Sequence, residues 1–296
     1  MRATGELKSL PETRTDPVSP MKRREVICGA GGAALAATSA RAGATQDPLT
    51  GVTPWSKSQA TALCIGLSNY DDQAKLRTPR SDAVAVARQL NSLGFTAKTL
   101  LDPTFEEVLQ ALAAFRLLSE QAELTFIFVA GHGVQIGDTL NVVALDALHD
   151  GKIIADRLVP ESTLLQATSE KPRQRLLLLD SCRTPPVTLP VECVRSQVNP
   201  HLGQAGVWIN YAAQPNAPAF DGAGGHSPFT AALLRVLKTP DLDLDVAARR
   251  MRLDVIAQTK GLQVPWLRSS LLLPLSFAGK VTLHGGESTE TARVKT

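Results

Sequence analysis

The chain has 296 residues, of which 44% are hydrophobic, and a formal net charge of +3. This length suits one α/β domain and leaves no room for a second large one. Residues 1–42 hold seven Lys/Arg and four Asp/Glu, so the remainder is electrically neutral, which argues against a nucleic-acid partner or an anionic membrane surface. The four cysteines lack the spacing of a metal site or a disulfide framework.

Residues 21–42, MKRREVICGAGGAALAATSARA, have the layout of an export signal. A charged start precedes a weakly apolar stretch that ends in Ala-Arg-Ala, and Arg23 and Arg24 resemble a twin-arginine signal. The stretch is shorter than the roughly 20 apolar residues of a membrane span. We therefore expect an exported, periplasmic or extracellular protein, with Met21 as a possible true start and residues 1–20 as a disordered extension. A disordered, Ala-rich basic tail is the alternative.

Three further segments follow the leader. Residues 43–59 are rich in Gly, Thr, Pro and Ser, which predicts a linker. Residues 60–280 are predicted to form the folded domain, and residues 281–296 a disordered tail. Apart from the leader, no segment has the length and apolar character of a membrane span.

Apolar runs and helical stripes alternate along the predicted domain. The predicted strands are 60–67, 95–101, 124–130, 176–179 and 206–212. The predicted helices are 81–93, one that opens at Thr104, 162–169, 227–237 and 243–259. Glu107 follows Thr104 in a capping-box pattern, and Ser227 with Pro228 begins the fourth helix. This alternation predicts a mostly parallel sheet covered by helices on both faces.

Two of the apolar strand runs end in polar clusters that contain His132 and Cys182. In parallel sheets, groups beyond the carboxyl ends of the strands line the functional crevice, so neighbouring strands would bring these two residues together. A thiol is a weak nucleophile until a histidine takes its proton, and this pair is the minimum machinery for acyl transfer. Glycines flank His132, and we expect the N–H groups of Gly133 and Cys182 to form an oxyanion hole.

An ordered set of motifs extends over residues 60–277. In chain order they are IGLSNY, RSDAVAVARQL, FVAGHGVQ, LLLLDSCR, YAAQPNAPAFDGAGGHSPFTAALL and GLQVPW. The set resembles the caspase-like family of peptidases (family C14) and, within it, the bacterial relatives of metacaspases. The resemblance implies a three-layer α/β sandwich with a mostly parallel six-stranded sheet. It also implies Cys182 as nucleophile, His132 as general acid/base, and no metal or organic cofactor in the active site. The acidic calcium-binding stretch of many metacaspases has no counterpart here, which leaves calcium dependence unsupported.

The resemblance further implies a substrate pocket and sites of processing. In metacaspase-like members, the positions of Asp82 and Asp180 line the S1 pocket, where two carboxylates favour Arg or Lys at P1. Two local alternatives remain: Asp82 as a first-turn carboxylate favoured by the helix dipole, and Asp180 as a group that orients nearby backbone. Arg183 and Arg195 lie where the family separates its large and small portions and are candidate self-cleavage points.

The sequence thus predicts a cysteine endopeptidase that acts on protein or peptide substrates. The alternative is an inactive caspase-fold module that binds peptides or partners. Cys64 lies inside an apolar strand and is expected to be structural. The remaining histidines are expected to be surface residues without partners; they are His149, His201, His226 and His284.

Overall fold

The computed structural model describes residues 49–56, 59–71, 74–168, 174–184, 204–222 and 224–283. The predicted leader and its N-terminal extension lie outside these ranges, as do Arg195, His201 and His284. Within the described ranges, none of the helices combines the length and the apolar character that a membrane crossing requires.

Six strands form the central sheet. From one edge to the other they are β12 (Trp266–Ser269), β11 (Val207–Tyr211), β10 (Gln174–Asp180), β4 (Leu124–Ala130), β2 (Ala60–Gly66) and β3 (Thr96–Leu101). Neighbours run parallel, except that β12 is antiparallel to β11. Every residue of β2, β4 and β10 is buried, as expected for strands covered on both faces. The predicted mostly parallel, six-stranded sheet is confirmed.

Helices cover both faces of this sheet. They are α1 (Pro79–Ser92), α2 (Phe105–Ser119), α3 (Glu161–Gln166), α4 (Pro228–Leu237) and α5 (Leu244–Gln258). Because side chains alternate along a strand, Phe126 and Phe128 of β4 pack with α1, α4 and α5, whereas Ile127 and Val129 pack with α2 and α3. Two separate apolar cores result, and the predicted three-layer arrangement is confirmed.

The predicted helix caps are present at the starts of α2 and α4. The Thr104 N–H donates to the Glu107 carboxylate (2.8 Å), and the Glu107 N–H donates to Thr104 Oγ1 (3.4 Å). At α4, the Thr230 N–H donates to Ser227 Oγ (2.9 Å). Both arrangements give partners to backbone N–H groups that a helix start leaves unpaired.

Several short strands follow β4, and the first of them begins directly after His132. A small antiparallel sheet contains β5 (Gly133–Ile136), β6 (Thr139–Val143) and β9 (Leu158–Pro160), and a hairpin contains β7 (Leu148–His149) and β8 (Lys152–Ile153). The Val143 N–H donates to the carbonyl of His132 (3.0 Å), so the small sheet fixes the backbone of the candidate histidine. Segments of two to five residues carry too little periodicity to be predicted as strands.

One further strand pair corrects the predicted boundaries. β1 (Leu49–Pro54) pairs antiparallel with β13 (Gly279–Leu283), so part of the predicted linker 43–59 and the start of the predicted tail 281–296 are strands. A Cβ at Gly279 would lie 1.9 Å from the Thr53 carbonyl oxygen, and only glycine allows this close approach. The loop-like composition of β1 concealed a strand whose partner lies at the other end of the domain.

Candidate active site

The ends of β4 and β10 bring the predicted catalytic residues to one edge of the sheet. These strands are parallel neighbours, and Ala130 lies opposite Asp180. At Gly133 a Cβ would lie 2.8 Å from the Cys182 carbonyl oxygen, so the two segments that follow the strands are in direct contact. His132 and Cys182 line the same cleft, which has a volume of about 1270 Å³.

The surroundings of His132 fix its ring. Tyr70 lies against the imidazole, with ring centroids 4.6 Å apart, and its hydroxyl accepts from the His132 N–H (3.1 Å) and donates to the Val143 carbonyl (2.8 Å). Nε2 lies 2.6 Å from the Ala74 carbonyl oxygen. A carbonyl only accepts, so Nε2 carries the hydrogen and Nδ1 of the neutral ring is left as a base.

Burial favours that neutral form of His132. It lowers the pKa of the imidazole, while the Ala74 carbonyl and the charge of Asp221 act in the opposite direction. A neutral imidazole can accept a proton from a thiol, and the arrangement is therefore suited to a general base.

Cys182 is held as a neutral thiol. Its Sγ accepts from the Ala219 N–H (3.3 Å) and donates to the Ala219 carbonyl (3.4 Å). Burial raises the pKa of this thiol and the charge of Asp180 raises it further, against the opposing effect of the Ala219 N–H. Across the described ranges there is no hydrogen bond between Cys182 and His132, and the N–H of Cys182 has no acceptor.

A smaller cavity of about 100 Å³ lies beside the thiol. His132 and Cys182 both contribute to its lining, together with three carboxylates, Asp82, Asp180 and Asp221. Asp82 comes from the first turn of α1 and Asp180 from the end of β10. The structure thus brings the two predicted pocket residues together next to the candidate nucleophile, and it adds a third acid.

Specific donors hold the two predicted carboxylates. Asp180 Oδ2 accepts from Ser227 Oγ (2.5 Å) and Thr230 Oγ1 (2.6 Å), and Asp82 Oδ2 accepts from the Ser227 N–H (3.3 Å). Burial nevertheless raises the pKa of both carboxyl groups, and the charge of Asp82 raises that of Asp180 further. Because a nearby positive charge favours the ionised form of both acids, this pair forms a site where a cation is stabilised.

Asp221 was not predicted from the sequence. It lies in the loop between β11 and α4, and its carboxylate accepts from the N–H groups of Arg77 (2.7 Å) and Thr78 (3.0 Å). Arg77 Nε lies 3.6 Å from the same carboxylate. A single acid in a loop rich in Gly and Ala has no periodicity that would reveal its place, so its position depends on contacts far along the chain.

The expectation that His226 is a surface residue without a partner is wrong. Its Nδ1 lies 2.5 Å from Oδ1 of Asp82, whose side chain is only 1% exposed. The imidazole itself is 32% exposed, so one edge faces solvent and the other faces a buried carboxylate. The contact joins positions far apart in the chain, and no local pattern could have revealed it.

Arg183 does not have the exposure that a self-cleavage point requires. It is fully buried, with its guanidinium carbon 4.2 Å from the ring centroid of Tyr211, and among the residues that the structure describes its three side-chain nitrogens have no hydrogen-bond partner. A processing enzyme needs an accessible, extended segment, which a buried arginine does not offer. Cys64 is also fully buried, and burial raises the pKa of its thiol. The position agrees with the structural role predicted for it.

One exposed group at the rim of the larger cleft has the composition of a metal site. Asp71, His149 and Asp150 offer ligand atoms within 4.8 Å of one another, and this is the cluster of that kind found in the described part of the chain. Exposed acidic groups commonly gather in this way without an ion. We assign no metal to it.

Comparison with known proteins identifies the family of this chain. Residues 59–276 match the family model of the caspase domain, peptidase family C14. The mucosa-associated lymphoid tissue lymphoma translocation protein 1 of Homo sapiens is 30% identical over 123 residues, which are 41% of this chain and 15% of that protein. Its Mus musculus homologue is 29% identical over 123 residues, 41% of this chain and 14% of the relative.

A solved structure shows the same fold. The crystal structure of caspase-1 from Spodoptera frugiperda superposes with a TM-score of 0.56 at 16% identity, covering 79% of this chain and 95% of the caspase. At this identity the likeness establishes the architecture alone. The match of the family model over most of the described domain shows more: this chain belongs to the caspase-domain family of peptidases.

Proposed function

We propose that this protein is a cysteine endopeptidase that hydrolyses peptide bonds after Arg or Lys. The observation that carries the proposal is one juxtaposition. A thiol and a neutral imidazole, Cys182 and His132, line one cleft and also border a small cavity with three carboxylates.

The chemistry uses groups of this chain alone. Nδ1 of His132 takes the proton of Cys182 as Sγ attacks the carbonyl carbon, and the oxyanion accepts hydrogen bonds from the N–H groups of Cys182 and Gly133. The imidazolium then gives its proton to the leaving amine, and an acyl-enzyme remains on sulfur. Water, deprotonated by the same imidazole, hydrolyses the thioester and restores the thiol. This route needs no metal or organic cofactor.

The substrate must change one contact of the free enzyme. In the free protein Cys182 Sγ pairs with the backbone of Ala219, so the thiol leaves this partner when it transfers its proton to His132. Hydrogen bonds of catalytic groups commonly tighten only in the complex with substrate. A peptide that competes for the Ala219 backbone would release the sulfur.

The carboxylates supply the preference at P1. Asp82, Asp180 and Asp221 line a cavity of about 100 Å³ that Cys182 also borders. A cationic side chain in this cavity would offset the repulsion between the carboxylates. Arginine can engage carboxylates with two parallel hydrogen bonds, whereas lysine acts as a point charge. Aspartate at P1 would bring a further carboxylate against these three, and we expect such peptides not to be cleaved.

The test compares peptides that differ only at P1, with Arg, Lys or Asp. Wild type is expected to cleave the first two, and Cys182→Ala should reduce the rate at least about a thousandfold because the nucleophile is lost. Initial rates and the masses of the products give the result, and equal melting temperatures of the two proteins control for folding. Cleavage that survives Cys182→Ala contradicts the proposal.

An inactive binding module is the second candidate, and one observation favours it. Cys182 is paired with Ala219 and not with His132. Alkylation by iodoacetamide separates the two functions, with the buried Cys64 as an internal reference. In an enzyme, peptide mapping should show Cys182 modified much faster than Cys64, in step with the loss of activity. Equally slow alkylation of Cys182 and Cys64 would favour the binding module.

We also propose that residues 21–42 direct export and are removed. The support is the charged start, the apolar stretch and the Ala-Arg-Ala end of that segment. The mass of the mature N-terminus, measured on protein from the native host, tests this.

A further inference from the structure

We propose that His226 is the positioning residue of the cation pocket, whose Nδ1–H holds the Asp82 carboxylate ready for a cationic P1 side chain. The inference deepens the proposed function and rests on it for the identity of the ligand, a guanidinium or ammonium group. It concerns a residue that was expected from the sequence to lie on the surface.

The geometry places His226 behind Asp82. Nδ1 of His226 lies 2.5 Å from Asp82 Oδ1, and the N–H of the next residue, Ser227, donates to Oδ2 (3.3 Å). Both oxygens of the carboxylate are therefore held by one short segment of the loop before α4. Asp82 lines the small cavity, but His226 is not among the residues that line it. The imidazole thus acts on the pocket through Asp82.

The loop that carries His226 is built for this approach. Gly222 and Gly225 adopt left-handed conformations, with φ of 74° and 86°, and a Cβ at Gly222 would lie 2.4 Å from the His226 carbonyl oxygen. Only glycine permits such a turn at low cost. Asp221, just before Gly222, lines the pocket, and His226, just after Gly225, reaches Asp82.

The chemistry explains why such a donor matters. When Asp82 is ionised its carboxylate only accepts, so the short contact then requires an Nδ1–H donor, and this donor favours the charged form of Asp82 against the burial that disfavours it. A charged carboxylate binds a guanidinium far better than a neutral acid does. Loss of the donor would leave Asp82 misoriented and more readily protonated.

The other charged groups around Asp82 have different supports. Asp180, at the end of β10, is held by two hydroxyl groups, and Asp221, from the loop, by backbone N–H groups next to the exposed Arg77. His132 borders the opposite side of the cavity and keeps its own partner, the Ala74 carbonyl. Among the three acids of the described pocket, Asp82 is the one whose carboxylate contacts a histidine side chain.

Steady-state kinetics on two variants test the inference. In His226→Asn the amide nitrogen can take the place of Nδ1 as donor, whereas His226→Leu has no donor. For a P1 Arg peptide, the Leu variant should raise KM about tenfold, as expected for the loss of a hydrogen bond to a charged group, with kcat little changed. The acidic limb of its kcat/KM profile should move to higher pH. The Asn variant should restore most of the affinity.

A binding measurement distinguishes failure of this inference from failure of the proposed function. The three proteins compared all carry Cys182→Ala, and position 226 is His, Asn or Leu. Calorimetry with a peptide amide ending in arginine should show about tenfold weaker binding for the protein with His226→Leu than for the other two. This result supports the inference even if no peptide is cleaved. Equal affinities in all three proteins overturn it even if wild type is an active peptidase, and so does a pocket that fails to bind the arginine peptide. If His226→Leu lowers kcat and the melting temperature but leaves KM and peptide binding unchanged, the histidine has a merely structural role, and the inference is overturned.

Discussion

At the scale of single residues, backbone atoms do much of the work in the candidate site. The Ala74 carbonyl selects the tautomer of His132, and the Ala219 N–H and carbonyl hold the thiol of Cys182. Side-chain substitution leaves these groups in place. Tyr70 is the side chain that fixes the backbone of His132, because its hydroxyl bridges the His132 N–H and the Val143 carbonyl.

Tyr70→Phe tests this positioning. The substitution keeps the ring against the imidazole but removes both hydrogen bonds, so the free energy of unfolding should fall by about 1 kcal/mol. Because the His132 backbone loses one of its two anchors and keeps the bond from the Val143 N–H, kcat on a P1 Arg peptide should fall several-fold while KM changes little. Thermal unfolding and steady-state kinetics measure the two effects.

The matched control is Tyr211→Phe. It removes another buried hydroxyl, which donates to Glu161 Oε2 (2.8 Å) outside the cleft and the small cavity. This variant should lose stability while kcat on the same peptide is retained. If both variants lose kcat in proportion to stability, the hydroxyl of Tyr70 has no specific part in positioning His132.

The sequence predicts those site residues that directly follow buried strands. His132 and Cys182 come after apolar runs, whereas the pocket roles of Asp82 and Asp180 were implied by the resemblance to metacaspase-like members and not by a local pattern. Asp221 gains its place only through hydrogen bonds to a segment more than a hundred residues earlier in the chain. Such a contact is tertiary, and no local pattern encodes it.

At the scale of elements, burial on two faces makes a strand easier to predict. β2, β4 and β10 need apolar residues at every position, so each leaves a continuous apolar run. β12 has exposed ends and β1 has loop-like composition, and neither was predicted. Their strand character comes from partners such as β11 and β13, which local propensity does not reveal.

The start of β5 offers a test at this scale. Gly133→Ala would place a Cβ 2.7 Å from Ser181 Oγ and 2.8 Å from the Cys182 carbonyl oxygen, so β5 and the segment after β10 must move apart. Because both proposed oxyanion donors lie at this contact, kcat should fall about a hundredfold. Kinetics with a P1 Arg peptide measure the loss.

Gly224→Ala is the control, because a Cβ there meets nothing within 4 Å and the backbone conformation suits alanine. This variant should keep the kcat of wild type. A Gly133→Ala enzyme with full kcat would contradict the proposed oxyanion hole, since the contact would then tolerate a side chain without moving the donors.

At the scale of the whole molecule, the buried acids of the pocket work against the stability of the free protein. Burial raises the folded-state pKa of Asp82 and Asp180 above the ordinary value near 4. As pH rises above about 4, the unfolded chain releases these protons before the folded one does, so the free energy of unfolding falls until pH passes the raised pKa values. Asp102 behaves oppositely: burial alone would raise its pKa, but the Ser68 N–H and Arg80 hold it below its usual range. Its stabilising effect is therefore complete above about pH 4 and constant over this window.

The melting temperature of wild type should therefore decline from pH 4.5 to neutrality more steeply than that of Asp180→Asn. This variant removes one titrating acid, while its amide oxygen can still accept hydrogen bonds from Ser227 and Thr230. A bound arginine peptide should reverse the decline, because a cation favours the ionised pocket, and the shift it causes should grow with pH in wild type more than in the variant. Melting curves at several pH values, with and without the peptide and on a Cys182→Ala background, measure both slopes. Parallel curves for the two proteins would mean that Asp180 is already ionised in the folded state at low pH. The account of the pocket as a place where burial disfavours ionised carboxylates would then be wrong.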